Sequence, residues 1–259
     1  MAELNGAPAT AAELEALALI NYGHFTTMLV DDGRVRGLAD HLDRLIGDAR
    51  RVFDAELDRD RLRGHLRSAI GDRSGSFLVR ITAYDPAADL LHPDGEPSIL
   101  ITTRPAAPTS PPPPPLRLRT ITGRRDPAMI KHVGLFGVLW SRRQARRDGY
   151  DDALLVGADE LITEGPTWNI GFVDHDHVLW PEAAVLPGIT QRLLQPLDPG
   201  ADRRPVFRSD LSRLTAAFAT SSGFGVRPIA AIDGHDFPVD HPLLGRLARA
   251  YRDLPGEAP

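Results

Sequence analysis

The stretch FTTMLVDDGRVRGLADHLDRLIGDARRVF, residues 25–53, carries two hydrophobic periods side by side. Phe25 to Val30 and Arg34 to Arg36 flank Asp31-Asp32-Gly33. An Asp-Gly pair between two extended runs is the sequence of a tight hairpin, so the paired aspartates read as turn residues and not as a catalytic dyad. From Leu38 the apolar positions fall at Leu42, Leu45, Ala49, Val52 and Phe53, the spacing of an amphipathic helix. Outward from this stretch, Thr10 with Glu13 three residues later resembles a capping box for a helix running to about Leu19. A further helix is predicted from Asp60 to Ile70, and strands over Ser76 to Tyr84 and Pro97 to Thr103, which makes the N-terminal part an α+β domain.

Five prolines, Pro111 to Pro115, favour extended polyproline II and can continue neither a helix nor a central strand. They predict a small N-terminal domain over residues 1–107, a proline-rich linker over 108–116 and a larger C-terminal α+β domain over 117–259. That second part opens with a strand near Leu116 to Thr122, and residues 133–147 read as a helix ending in Arg142, Arg143, Arg146 and Arg147. The four arginines suggest either a phosphate-binding surface or a solvated helix end whose cations complement the dipole, and nearby Asp148, Asp151 and Asp152 favour the latter. Ala153 to Val156, Glu160 to Thr163, Trp168 to Val173, Val178 to Trp180 and Val226 to Ile232 read as strands, and Pro242 to Tyr251 as a closing helix. Asp174-His175-Asp176-His177 has metal-ligand residue types, but its alternating flanks mark a hairpin turn, and no metal site is expected.

Composition narrows the chemistry. The 259 residues include 29 Arg but a single Lys, Lys131, and no Cys; 30 basic against 35 acidic side chains give a net charge of −5. Without Cys there is no disulfide framework, thiol nucleophile or cysteine zinc site. Lys131 stands between Ile130 and His132, in neither a P-loop nor a kinase context, and no His-Glu-x-x-His or Gly-x-Ser-x-Gly occurs. Net acidity argues against a nucleic-acid partner. Glu3, Glu13 and Glu15 stand where a targeting peptide would be basic, and no apolar run approaches the roughly 20 residues of a membrane span. A soluble, cytoplasmic protein is the expectation.

A lone lysine is either a chance survivor of a coding bias or a group retained because, unlike Arg, it can act as a neutral amine. Lys131 follows the loop Gly123 to Met129, has Ile130, Val133 and Leu135 around it, and is read as beginning the helical segment. Apolar surroundings disfavour an ammonium, and a neutral amine can form a Schiff base with an aldehyde cofactor. Gly188-Ile189-Thr190, at a predicted helix N-terminus, and Ser221-Ser222-Gly223, at a strand end, each read as a phosphate cradle or an ordinary cap or turn.

Together these tracts resemble the class IV aminotransferases, the fold-type IV pyridoxal-phosphate enzymes that include branched-chain aminotransferase, D-amino acid aminotransferase and aminodeoxychorismate lyase. In family order the chain has Leu4-Asn5-Gly6, Tyr22-Gly23-His24-Phe25-Thr26-Thr27, Asp32-Gly33, His41-Leu42-Asp43-Arg44-Leu45 and Ile130-Lys131-His132. Then come Gly149-Tyr150-Asp151-Asp152-Ala153-Leu154-Leu155, Thr163-Glu164-Gly165-Pro166-Thr167-Trp168-Asn169-Ile170, Leu186-Pro187-Gly188-Ile189-Thr190 and Ser221-Ser222 ahead of Pro228 and Ile232-Asp233-Gly234. The resemblance implies a two-domain α+β fold, pyridoxal 5'-phosphate as cofactor and a homodimer. It implies that Lys131 binds the cofactor as a Schiff base and then shuttles the proton, and that Glu164 faces the pyridine nitrogen. It implies that Arg44 binds phosphate together with Ile189, Thr190 and Ser222 or Ser221, and that Asn169 lies near the cofactor.

The chain also departs from the family pattern. Tyr22-Gly23-His24-Phe25 is two residues shorter than the usual form of a loop that borders the substrate pocket in relatives, which makes Tyr22, His24 and Thr27 substrate candidates. Phe136 stands where branched-chain enzymes place a Tyr. Phe25-Thr26-Thr27 and Ile130-Lys131-His132 lean toward aminodeoxychorismate lyase, yet that enzyme's arginine-glycine-rich segment is absent after Ile81-Thr82-Ala83. Arg80 is either a carboxylate contact or a structural strand arginine. The expected activity is amino-group transfer between an amino acid and a 2-oxo acid. The alternatives are a carbon–oxygen lyase that releases pyruvate from aminodeoxychorismate and a non-catalytic cofactor-binding homologue.

Overall fold

The computed structural model describes residues 2–93, 95–106 and 113–259. The chain divides into two units: the first is Met1–Pro108 with Ile130–Gly134 and Pro255–Pro259, the second Thr109–Met129 with Leu135–Leu254.

In the first unit, β1 (Ala2–Leu4) and β2 (Ala7–Pro8) precede α1 (Ala11–Leu19). They are followed by β3 (His24–Asp31), β4 (Arg34–Val35), α2 (Leu38–Phe53), α3 (Arg59–Ile70), β5 (Ser76–Tyr84) and β6 (Ser98–Pro105). The strands form one antiparallel sheet in the order β2-β1-β6-β5-β3-β4. Asp32 and Gly33 have φ of 46° and 73°, the paired positive values of the tight turn that joins β3 to β4. α1 begins in the expected capping box: Thr10 Oγ1 accepts from the Glu13 N–H at 3.3 Å, while the Thr10 N–H donates to Glu13 Oε2 at 2.8 Å. The apolar stripe of α2 lies on the sheet, where Leu38, Leu42 and Leu45 share a core with Met28 and Val30 of β3 and Leu62 and Leu66 of α3. Each such leucine contributes about 1.5–3 kcal/mol. Alternation along β3 turns Thr26, Met28 and Val30 into that core and leaves Thr27, Leu29 and Asp31 on the more open face.

The second unit contains β7 (Leu116–Thr122), α4 (Phe136–Arg147), β8 (Asp152–Val156), β9 (Asn169–Asp174), β10 (His177–Pro181) and α5 (Ile189–Leu194). It continues with β11 (Asp202–Arg204), β12 (Ala216–Ser221), β13 (Gly225–Ile232), β14 (His235–Asp236) and α6 (Pro242–Asp253). Its sheet is mixed, in the order β11-β10-β9-β12-β13-β7-β8 with β14 beside β13. β7 runs parallel to both β8 and β13, and β9, β12 and β13 are antiparallel neighbours. One apolar cluster includes Leu118, Leu154, Phe172 and Ile229; another packs Trp180 and Phe218 against Leu243, Leu244 and Leu247 of α6. Arg142 grips Asp152 through two hydrogen bonds of 3.0 and 2.9 Å, and Arg146 donates to the Asp151 carbonyl. Part of the arginine cluster on α4 is therefore spent on pinning the helix to β8. Asp174 pairs with His177 across the β9–β10 hairpin, with His175 at a φ of 53° in its turn.

Several expectations are corrected. The helix expected over 133–147 starts at Phe136, and the segment before it is tied to the backbone around β3 instead. The Phe25 N–H donates to the Lys131 carbonyl at 2.8 Å and the Val133 N–H to the Gly23 carbonyl at 2.9 Å, and the first of these takes the carbonyl that a helix begun at Lys131 would offer to the Leu135 N–H. Lys131 accordingly does not begin the helix. These same bonds group Ile130–Gly134 with the first unit, whereas a single cut at the prolines assigns the lysine to the C-terminal domain. Residues 160–163 form no strand: Leu161 and Ile162 make isolated bridges to Phe207 and Val156. Much of the expected linker, including Pro111 and Pro112, lies outside the described residues. Among the described residues no helix is long and apolar enough to cross a membrane, and no group of three or more His, Cys, Asp or Glu could hold a metal ion.

Candidate functional site

In the first unit the site is built by α2, β3 and the segment 130–134, which is bridged to β3 at His24 and His132. His41, Arg44 and Asp48 follow one another at three- and four-residue intervals, so they share one face of α2. Arg44 donates from an Nη to Thr26 Oγ1 at 2.8 Å, and Thr26 Oγ1 lies 2.7 Å from His41 Nδ1. Thr26 and His41 are fully buried. Burial above all, then the positive charges of Arg44 and Lys131, holds the pKa of His41 well below its ordinary value. Asp48, 1 % exposed, accepts the Lys131 backbone N–H at 3.3 Å and pairs with Arg51. Burial raises its pKa, against the backbone bond and the Arg44 and Arg51 charges.

The Lys131 ammonium sits 5.0 Å from the centroid of the Phe25 ring, and the Arg80 guanidinium lies over the same ring at 3.6 Å. Thr27 and Arg80 are directly paired across β3 and β5, so they share a face. Arg80 donates to Thr82 Oγ1 at 3.1 Å, and among the described residues no acidic side chain forms an ion pair with it. Burial, with Arg104 nearby, pushes its pKa down to about 10. The other two substrate candidates sit elsewhere. The Tyr22 hydroxyl donates to the Val52 carbonyl at 3.0 Å, and the buried His24 packs against Phe53 on the opposite face of β3 from Thr27.

In the second unit Glu164 is 2 % exposed. It pairs with Arg125, itself 5 % exposed, whose Nε donates to Glu164 Oε1 at 3.1 Å and whose Nη donates to the Pro166 carbonyl at 2.9 Å. The Asn169 amide donates to the Leu186 carbonyl at 2.8 Å and reaches Glu164 Oε2 at 3.5 Å. The structure thus gathers Glu164, Asn169 and the chain just before Gly188-Ile189-Thr190. Ile189 and Thr190 open α5, both buried, with the Thr190 hydroxyl 3.5 Å from that of Tyr251. Ser221 ends β12 and its Oγ accepts the Gly223 N–H at 3.3 Å; Ser222 stands in the same turn.

Sequence reasoning missed Arg125, Asp48 and the role of Thr26 in holding Arg44. Asp48 left a signal, its place four residues after Arg44 and seven after His41 on the face of α2 that they share. Arg125 left none, since Arg124-Arg125-Asp126-Pro127 reads as an ordinary polar loop.

This arrangement can be set beside known proteins. The family model described as amino-transferase class IV matches residues 23–232. The chain is 27 % identical over 149 residues to branched-chain-amino-acid aminotransferase-like protein 2 of Arabidopsis thaliana, across 53 % of this chain and 27 % of that protein. It is 28 % identical over 100 residues to a probable branched-chain-amino-acid aminotransferase of Aquifex aeolicus (strain VF5), across 36 % of this chain and 32 % of that protein. The matched stretches thus span about a third or less of these relatives' lengths.

Among solved structures, the putative 4-amino-4-deoxychorismate lyase of Legionella pneumophila superposes with a TM-score of 0.82 at 23 % identity, over 92 % of this chain and 93 % of that one. The branched-chain aminotransferase of Thermoproteus uzoniensis, solved with norvaline, gives 0.82 at 22 % identity over 97 % and 93 %. A hypothetical aminotransferase of Mycobacterium tuberculosis, solved with pyridoxal phosphate, gives 0.80 at 22 % over 97 % of each chain. These likenesses show the α+β fold of the fold-type IV enzymes. The family model runs from Gly23 to Ile232, well over half of the sequence, and the chain therefore belongs to the class IV aminotransferases.

Proposed function

We propose that the chain is a homodimeric, pyridoxal-phosphate-dependent aminotransferase that moves an amino group between an amino acid and a 2-oxo acid. The observation that carries this reading is the environment of its only lysine: Lys131 stands on a backbone segment anchored to Asp48 and β3, with the Arg44–Thr26–His41 cluster on the adjoining face of α2.

The donor set fits a phosphorylated pyridine aldehyde: a primary amine for the carbonyl, a guanidinium for the phosphate and a buried carboxylate for the ring nitrogen. When bound, pyridoxal phosphate supplies an aldehyde that condenses with primary amines and a ring that accepts the electron pair left when the α-proton departs. Lys131 holds the cofactor and moves that proton through its Nζ. Arg44 binds phosphate oxygens, with the Ile189 backbone, the Thr190 hydroxyl and Ser222 or Ser221 as further donors. Glu164 accepts from the ring nitrogen, and Arg125 supplies the counter-charge that keeps a carboxylate tolerable in so buried a place. Asn169 orients Glu164 and the chain ahead of Gly188. Arg80, a half-buried cation without an acidic partner among the described residues, receives a substrate carboxylate beside Thr27.

The test is the absorption spectrum of purified protein titrated with pyridoxal phosphate, before and after borohydride. Wild type is expected to develop a long-wavelength band that borohydride removes, leaving the cofactor fixed on Lys131 by peptide mass spectrometry, and Lys131→Ala to develop none. Absence of the band in wild type, or its survival in Lys131→Ala, sinks the assignment. Turnover that requires a 2-oxo acid acceptor identifies a transaminase. Pyruvate released from aminodeoxychorismate without an acceptor replaces that reading with the lyase.

A further inference from the structure

We propose that Thr26 and His41 are positioning residues for the phosphate-binding guanidinium of Arg44, forming a fixed chain His41–Thr26–Arg44; this rests on the reading of Arg44 given above. The chain is short and directional. A guanidinium only donates, so Thr26 Oγ1 is the acceptor in its 2.8 Å contact with Arg44. The proposed chain gives the single hydroxyl proton of Thr26 to His41 Nδ1, 2.7 Å away, and so puts the imidazole proton on Nε2. That polarity needs a neutral His41, and the complete burial of the ring beside two cations enforces one.

The consequence is geometric. An arginine side chain has several rotatable bonds, and presenting its planar fork to a phosphate costs conformational entropy unless the fork is already held. Thr26 takes one of the five guanidinium donors and thereby sets the plane of the rest. Thr26 is itself held in β3 and by His41, and the Thr26 and His41 side chains are fully buried, so the anchor is as stiff as the core beneath it. The opposite face of the same strand carries Thr27 and Phe25. Two adjacent threonines therefore point to opposite sides of β3 and serve different tasks, Thr26 the arginine and Thr27 the Arg80 face.

The experiment compares binding of pyridoxal phosphate and of pyridoxal, which lacks the phosphate, to the full chain by spectroscopic titration, with the melting temperature of each cofactor-free variant recorded alongside. Thr26→Val keeps the shape and removes the hydroxyl; His41→Leu removes the acceptor behind it. Both are expected to weaken pyridoxal phosphate about tenfold, the scale of one charge-assisted hydrogen bond, and to leave pyridoxal unchanged. Thr26→Ser restores the hydroxyl, and His41→Asn keeps an acceptor at the Nδ1 position; both should stay within about threefold of wild type. If Thr26→Val fails to fold, the His41→Leu and His41→Asn pair carries the same comparison. Equal weakening of both ligands, or no weakening of either, overturns the proposal. A wild type that binds pyridoxal as tightly as pyridoxal phosphate removes the phosphate role of Arg44 and the proposal with it. A wild-type preference that persists undiminished in Thr26→Val removes the proposal alone.

Discussion

Glu164 and Arg125 are a buried ion pair, 2 % and 5 % exposed, and the cost of taking two charges out of water makes each depend on the other. Arg125→Met leaves an uncompensated carboxylate and should cost about 3–5 kcal/mol in urea unfolding. Adding Glu164→Gln should return much of that loss; a double variant no more stable than Arg125→Met would show that packing around Arg125, and not charge, is what matters. His24 makes a second residue-scale prediction. It is fully buried, neither ring nitrogen has a hydrogen-bond partner among the described residues, and burial pushes its pKa down to about 4. The folded state then binds fewer protons than the unfolded state between pH 4 and 6.5. The contribution of His24 is complete above about 6.5, falls as pH drops toward 4, and is constant below. The full loss is about 3 kcal/mol. His24→Leu should flatten the acid limb of the stability curve by that order, while curves that stay parallel would contradict the assignment; His41, also depressed, adds a slope of its own.

At the scale of elements, legibility followed the range of the forces involved. α2 could be read from its apolar period, and the β3–β4 turn from Asp32-Gly33, because both are decided within a few residues. The start of α4 could not. Val133 and Leu135 extend its apolar pattern backward, but the backbone at 131–133 is claimed by Gly23 and Phe25, more than a hundred positions earlier. Glu164 stood out in a recognisable tract while Arg125 did not, since an arginine in a polar loop looks alike whether it ends in solvent or on a buried carboxylate. Gly188 could be read as a helix start, but its real constraint is a close approach: a Cβ there would stand 1.9 Å from Asn169 Oδ1. Its φ of −72° is ordinary, so the constraint is contact and not backbone strain. Gly188→Ala should push the Asn169 amide off the Leu186 carbonyl and lower stability by about 1–3 kcal/mol. In an Asn169→Ala background the same substitution should cost markedly less, measured by thermal unfolding. An undiminished cost would place the clash elsewhere.

At the scale of the whole molecule, a single cut at the proline run is too simple a division. The chain passes between units at 108/109, 129/130, 134/135 and 254/255, and the short passage at 130–134 is the one that carries the lysine. The second unit also leaves an unusual surface on α4. Phe136, Leu139 and Trp140 are 79 %, 49 % and 49 % exposed, the two aromatic rings stack at 6.1 Å, and exposed Arg143 and Arg147 continue the stripe at helical spacing. Such a stripe is self-complementary. If two copies pack α4 antiparallel about a point between positions 141 and 142, position 136 faces 147 and position 140 faces 143, so each aromatic ring meets a guanidinium. Each cation–π pair is worth about 0.5–2 kcal/mol, and a twofold axis repeats both of them, the logic of an isologous dimer. One helix buries less than a stable dimer needs, so the seam proposed for the homodimer takes in α4 and further surface beyond it. Light scattering should give wild type about 56 kDa, twice the 28.2 kDa chain. Trp140→Glu and Arg143→Glu should each weaken the dimer about tenfold or more without lowering helix content, because neither side chain is in the buried core. A monomeric wild type would refute the homodimer, and a dimer indifferent to both substitutions would move its seam away from α4.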